Sequence, residues 1–173
     1  QTGFDSVLAG ANAANNDLTS VAGGALVIQA TGGDLPPYGS GQDSALALSY
    51  TSSGSYTIGA RLLKSSFAGS FKSAGIFVGK SSSQYIRFSA SRSGTNERLQ
   101  LDVVDSNGKL RATSIPLPAG TFAGIQTSLD LFLTIDHQAK RISALYRIDS
   151  DLADAGRQAT SRNFPRWLRQ GNN

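Results

Sequence analysis

Apolar and polar residues alternate in short runs through most of this chain, from Ser44 to Asp149, and each run ends in a break rich in Gly, Ser or Asn. In the clearest run, every second position is apolar: Leu129, Leu131, Leu133 and Ile135. Because successive side chains of a strand point to opposite faces, this spacing predicts a sheet with one buried face. About nine or ten such runs predict an all-β chain, either a two-sheet antiparallel sandwich or a barrel.

The composition fits one β-rich domain. The chain has 173 residues, of which 39% are hydrophobic, and this is enough to bury a core without metals or disulfides. Charged residues make up 16%, against roughly 25% in typical globular domains, which disfavours a helical enzyme. We predict a single domain over residues 1–173. Residues 1–22 are a loop-rich segment, and residues 150–173 are an extension that packs back on the domain.

The chain contains neither Cys nor Met. The lack of Cys excludes disulfides, Cys-ligated zinc and thiol catalysis within this sequence. The lack of an initiator Met predicts a processed protein or a module of a larger multidomain polypeptide. No apolar stretch approaches the roughly 20 residues of a membrane span. Together with the low charge, these features predict a secreted or cell-surface protein.

The basic residues are unevenly distributed. Residues 1–60 contain no Lys or Arg, so all 16 basic residues lie in the remainder of a chain whose net charge is +4. Two interpretations fit this pattern: a patch that binds phosphate or acidic glycans, or scattered cations on solvated strand faces that protect sheet edges. The second interpretation is favoured, and no nucleic-acid partner is predicted.

The alternating runs predict individual strands and a core. The predicted strands are residues 25–30, 45–51, 56–64, 75–79, 85–90, 98–105, 109–117, 129–136 and 142–148. The predicted core residues are Ile58, Leu62, Ile76, Val78, Ile86, Phe88, Leu99, Leu101, Val103, Leu131, Leu133, Ile135, Ile142 and Tyr146. The segment Asp105-Ser106-Asn107-Gly108 predicts a tight type I′ hairpin turn, since Asn and Gly both accept positive φ.

Catalytic motifs are weak. A glycosidase needs two carboxyl groups beside the scissile bond, but Glu97 is the only Glu in the chain. Asp130 and Asp136 share one strand face, where six residues separate them by about 20 Å. The single His, His137, falls in a predicted turn, where side chains are usually exposed to solvent. We therefore predict no catalytic residues.

Two clusters are weak candidates for calcium. The first places oxygen ligands around the predicted hairpin and consists of Asp102, Asp105 and Asn107. It lacks the spacing and the terminal Glu of an EF-hand, so turn formation is the favoured interpretation. The second is the loop that contains Asp34 and Asp43. Calcium remains the only cofactor that these residues suggest.

A sugar site needs an exposed aromatic ring beside polar groups that bind hydroxyls. Tyr85 alternates with Ile86 and Phe88 and shares its strand face with Arg87, so we expect an exposed ring beside a guanidinium. Tyr38 lies in a loop rich in Pro and Gly between Asp34 and Asp43. These five polar and aromatic residues are the predicted ligand-binding set: Tyr38, Asp34, Asp43, Tyr85 and Arg87.

Three segments carry a resemblance to a known family. Residues 56–62 have the form Tyr-x-h-x-Ala-x-h, with h apolar, residues 74–78 follow as Ala-Gly-h-h-h, and residues 84–88 follow as Gln-Tyr-h-x-h. This order resembles the concanavalin A-like, or laminin G-like, jelly roll of bacterial secreted proteins, and the resemblance covers roughly residues 44–150. It implies a two-sheet antiparallel sandwich with little helix. The chain departs from the catalytic members because it lacks their Glu-x-Asp-x-x-Glu strand motif.

The resemblance also implies a function. Modules of this kind serve as carbohydrate-binding or adhesive parts of larger extracellular proteins. We therefore predict a non-catalytic, lectin-like module whose partner is a polysaccharide or glycan. The alternative is an adhesive or structural domain that contacts another protein or a surface and takes no sugar, and an enzyme that acts on polysaccharides is a third, less favoured interpretation.

Overall fold

The computed structural model describes residues 6–8, 19–22, 25–28, 33–34, 41–42, 45–47, 54–67, 73–81, 84–105, 107–149 and 157–169. Before residue 54 it describes the backbone of the strands only. The contacts divide the chain into two compact units, residues 1–51 and residues 52–173. The prediction of a single domain stays a prediction.

The described part of the first unit consists of short antiparallel strand pairs. Its strands are β1 (Ser6–Leu8), β2 (Thr19–Ala22), β3 (Ala25–Ile28), β4 (Gly33–Asp34), β5 (Gly41–Gln42) and β6 (Ala45–Ala47). They pair as β1 with β6, β2 with β3, and β4 with β5. Strand β3 falls in the predicted strand 25–30, whereas β2 falls in a segment that the sequence predicts as loop.

The second unit contains two four-stranded sheets. Its strands are β7 (Tyr56–Leu63), β8 (Ser73–Ser81), β9 (Gln84–Ser93), β10 (Asn96–Val104), β11 (Leu110–Leu117), β12 (Ser128–Asp136), β13 (Arg141–Ile148) and β14 (Arg157–Asn163). Sheet I has the order β11-β10-β9-β8 and sheet II the order β14-β13-β12-β7, with every pair antiparallel. The predicted all-β, two-sheet antiparallel sandwich is confirmed, and the arrangement fits a jelly roll.

Helical structure in the described residues is limited to short pieces. These are a 3-10 turn at Lys64–Phe67 and the helices α1 (Thr121–Gly124) and α2 (Arg166–Arg169). Sheet I is built from consecutive hairpins, and α1 lies on the connection from β11 in sheet I to β12 in sheet II. Strand β12 then pairs with β7, the strand that precedes sheet I in the sequence. The strands of sheet II therefore come from the chain segments before and after sheet I.

The core lies between the two sheets. All fourteen predicted core residues belong to it, nine of them buried and five, including Ile58 and Tyr146, partly buried against the others. Eight further buried residues complete it: Phe67, Ala90, Phe122, Ile125, Leu129, Ala144, Phe164 and Trp167. Burying a large apolar side chain contributes roughly 1.5–3 kcal/mol, so this layer supplies the main stabilisation of the sandwich.

The hairpin between β10 and β11 forms where it was predicted. Gly108 has φ +72°, a conformation that glycine adopts readily. The Gly108 amide donates to the Asp105 carbonyl (2.8 Å), and the Asp105 amide donates to the Lys109 carbonyl (3.1 Å). Ser106 lies outside the described residues, so the type I′ turn stays a prediction.

The C-terminal element lies against the end of the core. Phe164 and Trp167 are buried, and the Trp167 indole N–H donates to the Val104 carbonyl at 2.8 Å. The Phe164 amide donates to the Lys140 carbonyl at 3.1 Å. Strand β14 precedes this element and pairs with β13. The sequence did not indicate β14, since its residues do not alternate between apolar and polar.

Candidate functional site

Tyr85 does not present an exposed ring. Its side chain is completely buried, at 0% exposure, and Ser89 on the same strand face is buried as well. On the opposite face of β9, Ile86 and Phe88 lie in the core. Both faces of this central strand are therefore covered. The prediction of an exposed Tyr85 ring was wrong, because alternation shows which residues share a face and does not show whether that face is open.

Arg87 forms an ion pair within sheet I. It lies directly opposite Asp102 in the β9–β10 register, and its Nη2 is 2.9 Å from Asp102 Oδ2. The Asp102 carboxylate is fully buried and also accepts a hydrogen bond from Gln100 Nε2 at 2.8 Å. Burial of a carboxylate requires such pairing, since an isolated buried charge is very unfavourable. Arg87 therefore serves as the counter-ion of Asp102.

The first predicted calcium cluster is engaged by protein groups. Asp102 is held as just described, Asp105 lies 3.8 Å from Arg111 Nη2, and the Asn107 side-chain oxygen accepts from the Lys109 amide at 3.2 Å. Among the described residues, no group of three or more His, Asp or Glu side chains is placed to hold a metal ion. Tyr38 and Asp43 lie outside the described residues, and for Asp34 only the backbone is described.

A different surface brings an aromatic ring and polar groups together: the outer face of sheet II. Its central strand β12 directs Leu131 and Leu133 into the core, so Phe132 between them points outward. The neighbouring outward residues come from the same strand and from β7 and β13. We call this surface the Phe132 face, and it consists of Thr57, Gly59, Arg61, Asp130, Phe132, Thr134 and Arg147.

One carboxylate joins two guanidinium groups at one end of the Phe132 face. Asp130 lies opposite Arg61 on β7 and opposite Arg147 on β13. Arg61 donates from Nε to Oδ1 at 2.7 Å and from Nη2 to Oδ2 at 2.9 Å, and Arg147 Nη2 donates to Oδ2 at 3.1 Å. Asp130 and Arg147 are almost buried, at 6% and 9% exposure, whereas the Arg61 side chain is 48% exposed.

These hydrogen bonds keep the cluster ionised. The hydrogen bond from Arg61 is the largest influence on the Asp130 carboxyl and holds its pKa below the ordinary value, against the opposing effect of burial. The same hydrogen bond raises the pKa of Arg61. A bidentate guanidinium–carboxylate pair has this effect because both bonds favour the charged forms. Two positive groups and one negative group then give the cluster a net charge of +1.

The Phe132 ring is positioned from two sides. The Arg147 guanidinium carbon lies 4.8 Å from the ring centroid, which is a cation–π contact. On the other side, Gly59 lies opposite Phe132 in the register. A Cβ at position 59 would come within 3.0 Å of the ring carbon Cδ1, so the absence of a side chain there makes room for the ring. Phe132 remains partly exposed.

Hydroxyl groups continue the face beyond the ring. The Thr57 and Thr134 hydroxyl oxygens are 2.7 Å apart on adjacent strands. From Thr57 through Gly59 to Arg61 the β7 backbone advances by about 13 Å. The face thus presents hydroxyls, an aromatic ring and a half-exposed guanidinium in sequence along one direction.

The remaining candidate groups have structural partners. Glu97 is buried, and its Oε2 accepts a hydrogen bond from the Phe122 amide at 2.8 Å. Asp136 accepts bonds from Ser55 Oγ and from two backbone amides of its turn. The His137 ring lies against Tyr56 and Phe164, with centroids 6.2 and 5.2 Å away. All three side chains are thus in contact with other groups of the protein.

The sequence contains a local signal for the Phe132 face. Phe132 is an aromatic residue at a polar position of the clearest alternating strand, between Asp130 and Thr134. Arg61 likewise lies on the strand face opposite the core residues Ile58 and Leu62. Their proximity depends on the pairing of β7 with β12, strands separated by more than 60 residues, and the sequence did not indicate this pairing.

Compared with family models, with curated proteins and with solved structures, the chain matches none of them. The resemblance to concanavalin A-like domains therefore stays a prediction. Over the part of the chain that the structure describes, no helix has the length and apolar character needed to cross a membrane.

Proposed function

We propose that the protein is a non-catalytic carbohydrate-binding module and that the sugar lies on the Phe132 face. The observation that carries the proposal is the partly exposed Phe132 ring, held between Gly59 and Arg147, with Arg61 and two threonine hydroxyls beside it. An aromatic ring covers the apolar face of a sugar, while guanidinium and hydroxyl groups bind its hydroxyls. A concanavalin A-like origin and a secreted or cell-surface location are part of the same proposal.

The state of the carboxylates supports binding rather than cleavage. Six carboxylate side chains are described in the structure, and each accepts a hydrogen bond or ion pair from the protein: Glu97, Asp102, Asp105, Asp130, Asp136 and Asp149. Glycoside hydrolysis requires one carboxyl group that donates a proton and a second that acts as base or nucleophile. Asp130, the carboxylate beside Phe132, is instead neutralised by two guanidinium groups.

The test is a binding titration with soluble polysaccharides. Wild-type protein should bind at least one member of a panel of neutral and acidic polysaccharides in isothermal titration calorimetry. Phe132→Leu keeps the apolar side chain and removes the ring, so affinity should fall by up to about tenfold, because aromatic contacts contribute roughly 0.5–1.5 kcal/mol. The melting temperature should change little.

The matched control makes the same substitution on the other sheet. Phe77 lies on β8 between Ile76 and Val78, which pack against the core, so it belongs to the outer face of sheet I and is partly exposed. Phe77→Leu should leave binding unchanged. Lack of binding to every polysaccharide would reject the proposal and favour the alternative of an adhesive or structural domain. Loss of substrate with release of shorter sugars would instead identify an enzyme.

A further inference from the structure

Arg61, the exposed cation on the Phe132 face, has N–H donors that form no hydrogen bond within the described residues. Arg61 directs its Nε–Nη2 edge at Asp130. Within the described residues it makes no other hydrogen bond or ion pair. A guanidinium group has five N–H donors, so the Nη1 end of Arg61 keeps donors that point away from the Asp130 carboxylate. With 48% of the side chain exposed, these donors are accessible from solvent.

The charge around Arg61 favours an anion over a neutral partner. Asp130 is shared between Arg61 and Arg147, so the group of three carries a net charge of +1 beside the Phe132 ring. Hydrogen bonds from a guanidinium to a carboxylate are roughly twice as strong as those between neutral groups. A carboxylate that binds Arg61 end-on would also bring the cluster to zero net charge, and a sugar hydroxyl would not.

We infer that the Phe132 face binds an acidic polysaccharide, with a uronate carboxylate on the outer donors of Arg61 and the sugar ring against Phe132. The inference rests on the proposed sugar-binding function and adds the charge of the ligand. The planar end of the guanidinium fits a carboxylate with two parallel N–H···O bonds. Arg147 holds Asp130 and Phe132 in place and takes no part in contact with the anion.

The first experiment compares one polymer with and without its charge. Polygalacturonate and its fully methyl-esterified form have the same sugar backbone, and only the first carries carboxylates. In isothermal titration calorimetry the charged polymer should bind at least about tenfold more tightly. Raising the NaCl concentration from about 0.05 to 0.5 M should weaken its binding, because salt screens exposed charges.

The second experiment removes the cation. Arg61→Gln should lower the affinity for polygalacturonate by about tenfold and weaken binding of the methyl ester much less, because the Gln amide still donates to a neutral sugar but carries no charge. Asp130 keeps Arg147 as partner in this variant, so the carboxylate is not left unpaired. The matched control is Arg98→Gln, which removes another exposed strand arginine that donates to Ser91 Oγ. It should bind polygalacturonate like the wild type.

The outcomes separate this inference from the proposed function. Equal binding of the two polymers, unaffected by Arg61→Gln, would overturn the uronate inference while the sugar-binding proposal stands. Lack of binding to either polymer and to every neutral polysaccharide would reject both. Equal affinity for polygalacturonate, dextran sulfate and single-stranded DNA, lowered alike by Arg61→Gln and Arg98→Gln, would show general attraction of polyanions to a basic chain and would also overturn the inference.

Discussion

At the scale of single residues, Asp149 shows how one side chain organises a loop. Its carboxylate accepts hydrogen bonds from the backbone amides of Gln126, Thr127 and Ser128 at 2.7, 2.7 and 3.1 Å, and from the Thr127 hydroxyl at 3.0 Å. The residue itself has φ +50°, a conformation that Asp and Asn tolerate better than most residues. The carboxylate thereby fixes the entry to β12 against the end of β13.

These hydrogen bonds predict a pH dependence of stability. Backbone donors, first that of Gln126, lower the pKa of Asp149 from 3.8 to about 2. A lowered pKa in the folded state means that the contribution to stability is complete above the unfolded-state pKa, near 4, and is lost as the pH falls towards 2. Asp149→Asn keeps the shape and the tolerance of positive φ but removes the charge. Its melting temperature should lie a few degrees below that of the wild type at pH 7, and the difference should shrink at pH 2. A difference of equal size at both pH values, measured by circular dichroism, would contradict this role.

At the scale of elements, the short C-terminal helix α2 packs against the core and should stabilise the sandwich. Trp167 combines apolar burial with one hydrogen bond to Val104 at the end of β10. Trp167→Phe removes the hydrogen bond and keeps most of the apolar volume. It should lower the free energy of unfolding by about 1 kcal/mol or slightly more, because the variant also leaves the Val104 carbonyl without its partner. Trp167→Ala removes both contributions and should cost about 3–5 kcal/mol. Urea unfolding followed by circular dichroism measures both values, and equal losses in the two variants would show that the ring volume adds nothing.

The elements also show where sequence patterns succeed and where they stop. Strands β7 and β12 were predicted to within one residue at each end, because apolar residues occupy every second position in both strands. Strands β9 and β10 extend further than predicted and meet at a two-residue turn whose Gly94 has φ +60°. Residues 91–97 lack apolar alternation, so the pattern ended before the strands did. Pairing with a neighbouring strand, which a local pattern does not contain, extends them.

At the scale of the whole molecule, the fold followed from the sequence and the candidate site did not. Tyr85 and Phe132 are both aromatic residues at positions that alternate with core residues of their strand. The first is fully buried, and the second is partly exposed. Local alternation does not contain this difference, because it shows which residues share a face and does not show whether that face is exposed. The core could be predicted because both sheets bury one face in any two-sheet sandwich.

Two adjacent residues test the whole arrangement. Leu131 is fully buried between the sheets, whereas Phe132 belongs to the outer face of sheet II. Leu131→Ala should lower the free energy of unfolding by about 2–5 kcal/mol and leave the affinity per folded molecule for a bound polysaccharide unchanged. Phe132→Leu should do the reverse, with a small effect on stability and a clear loss of affinity. Urea titration measures the first quantity and calorimetry of the folded fraction measures the second. Since a shift of one residue in the pairing of β12 would move each side chain to the opposite face, an exchange of the two phenotypes would contradict the register of sheet II, and with it both the core and the proposed site.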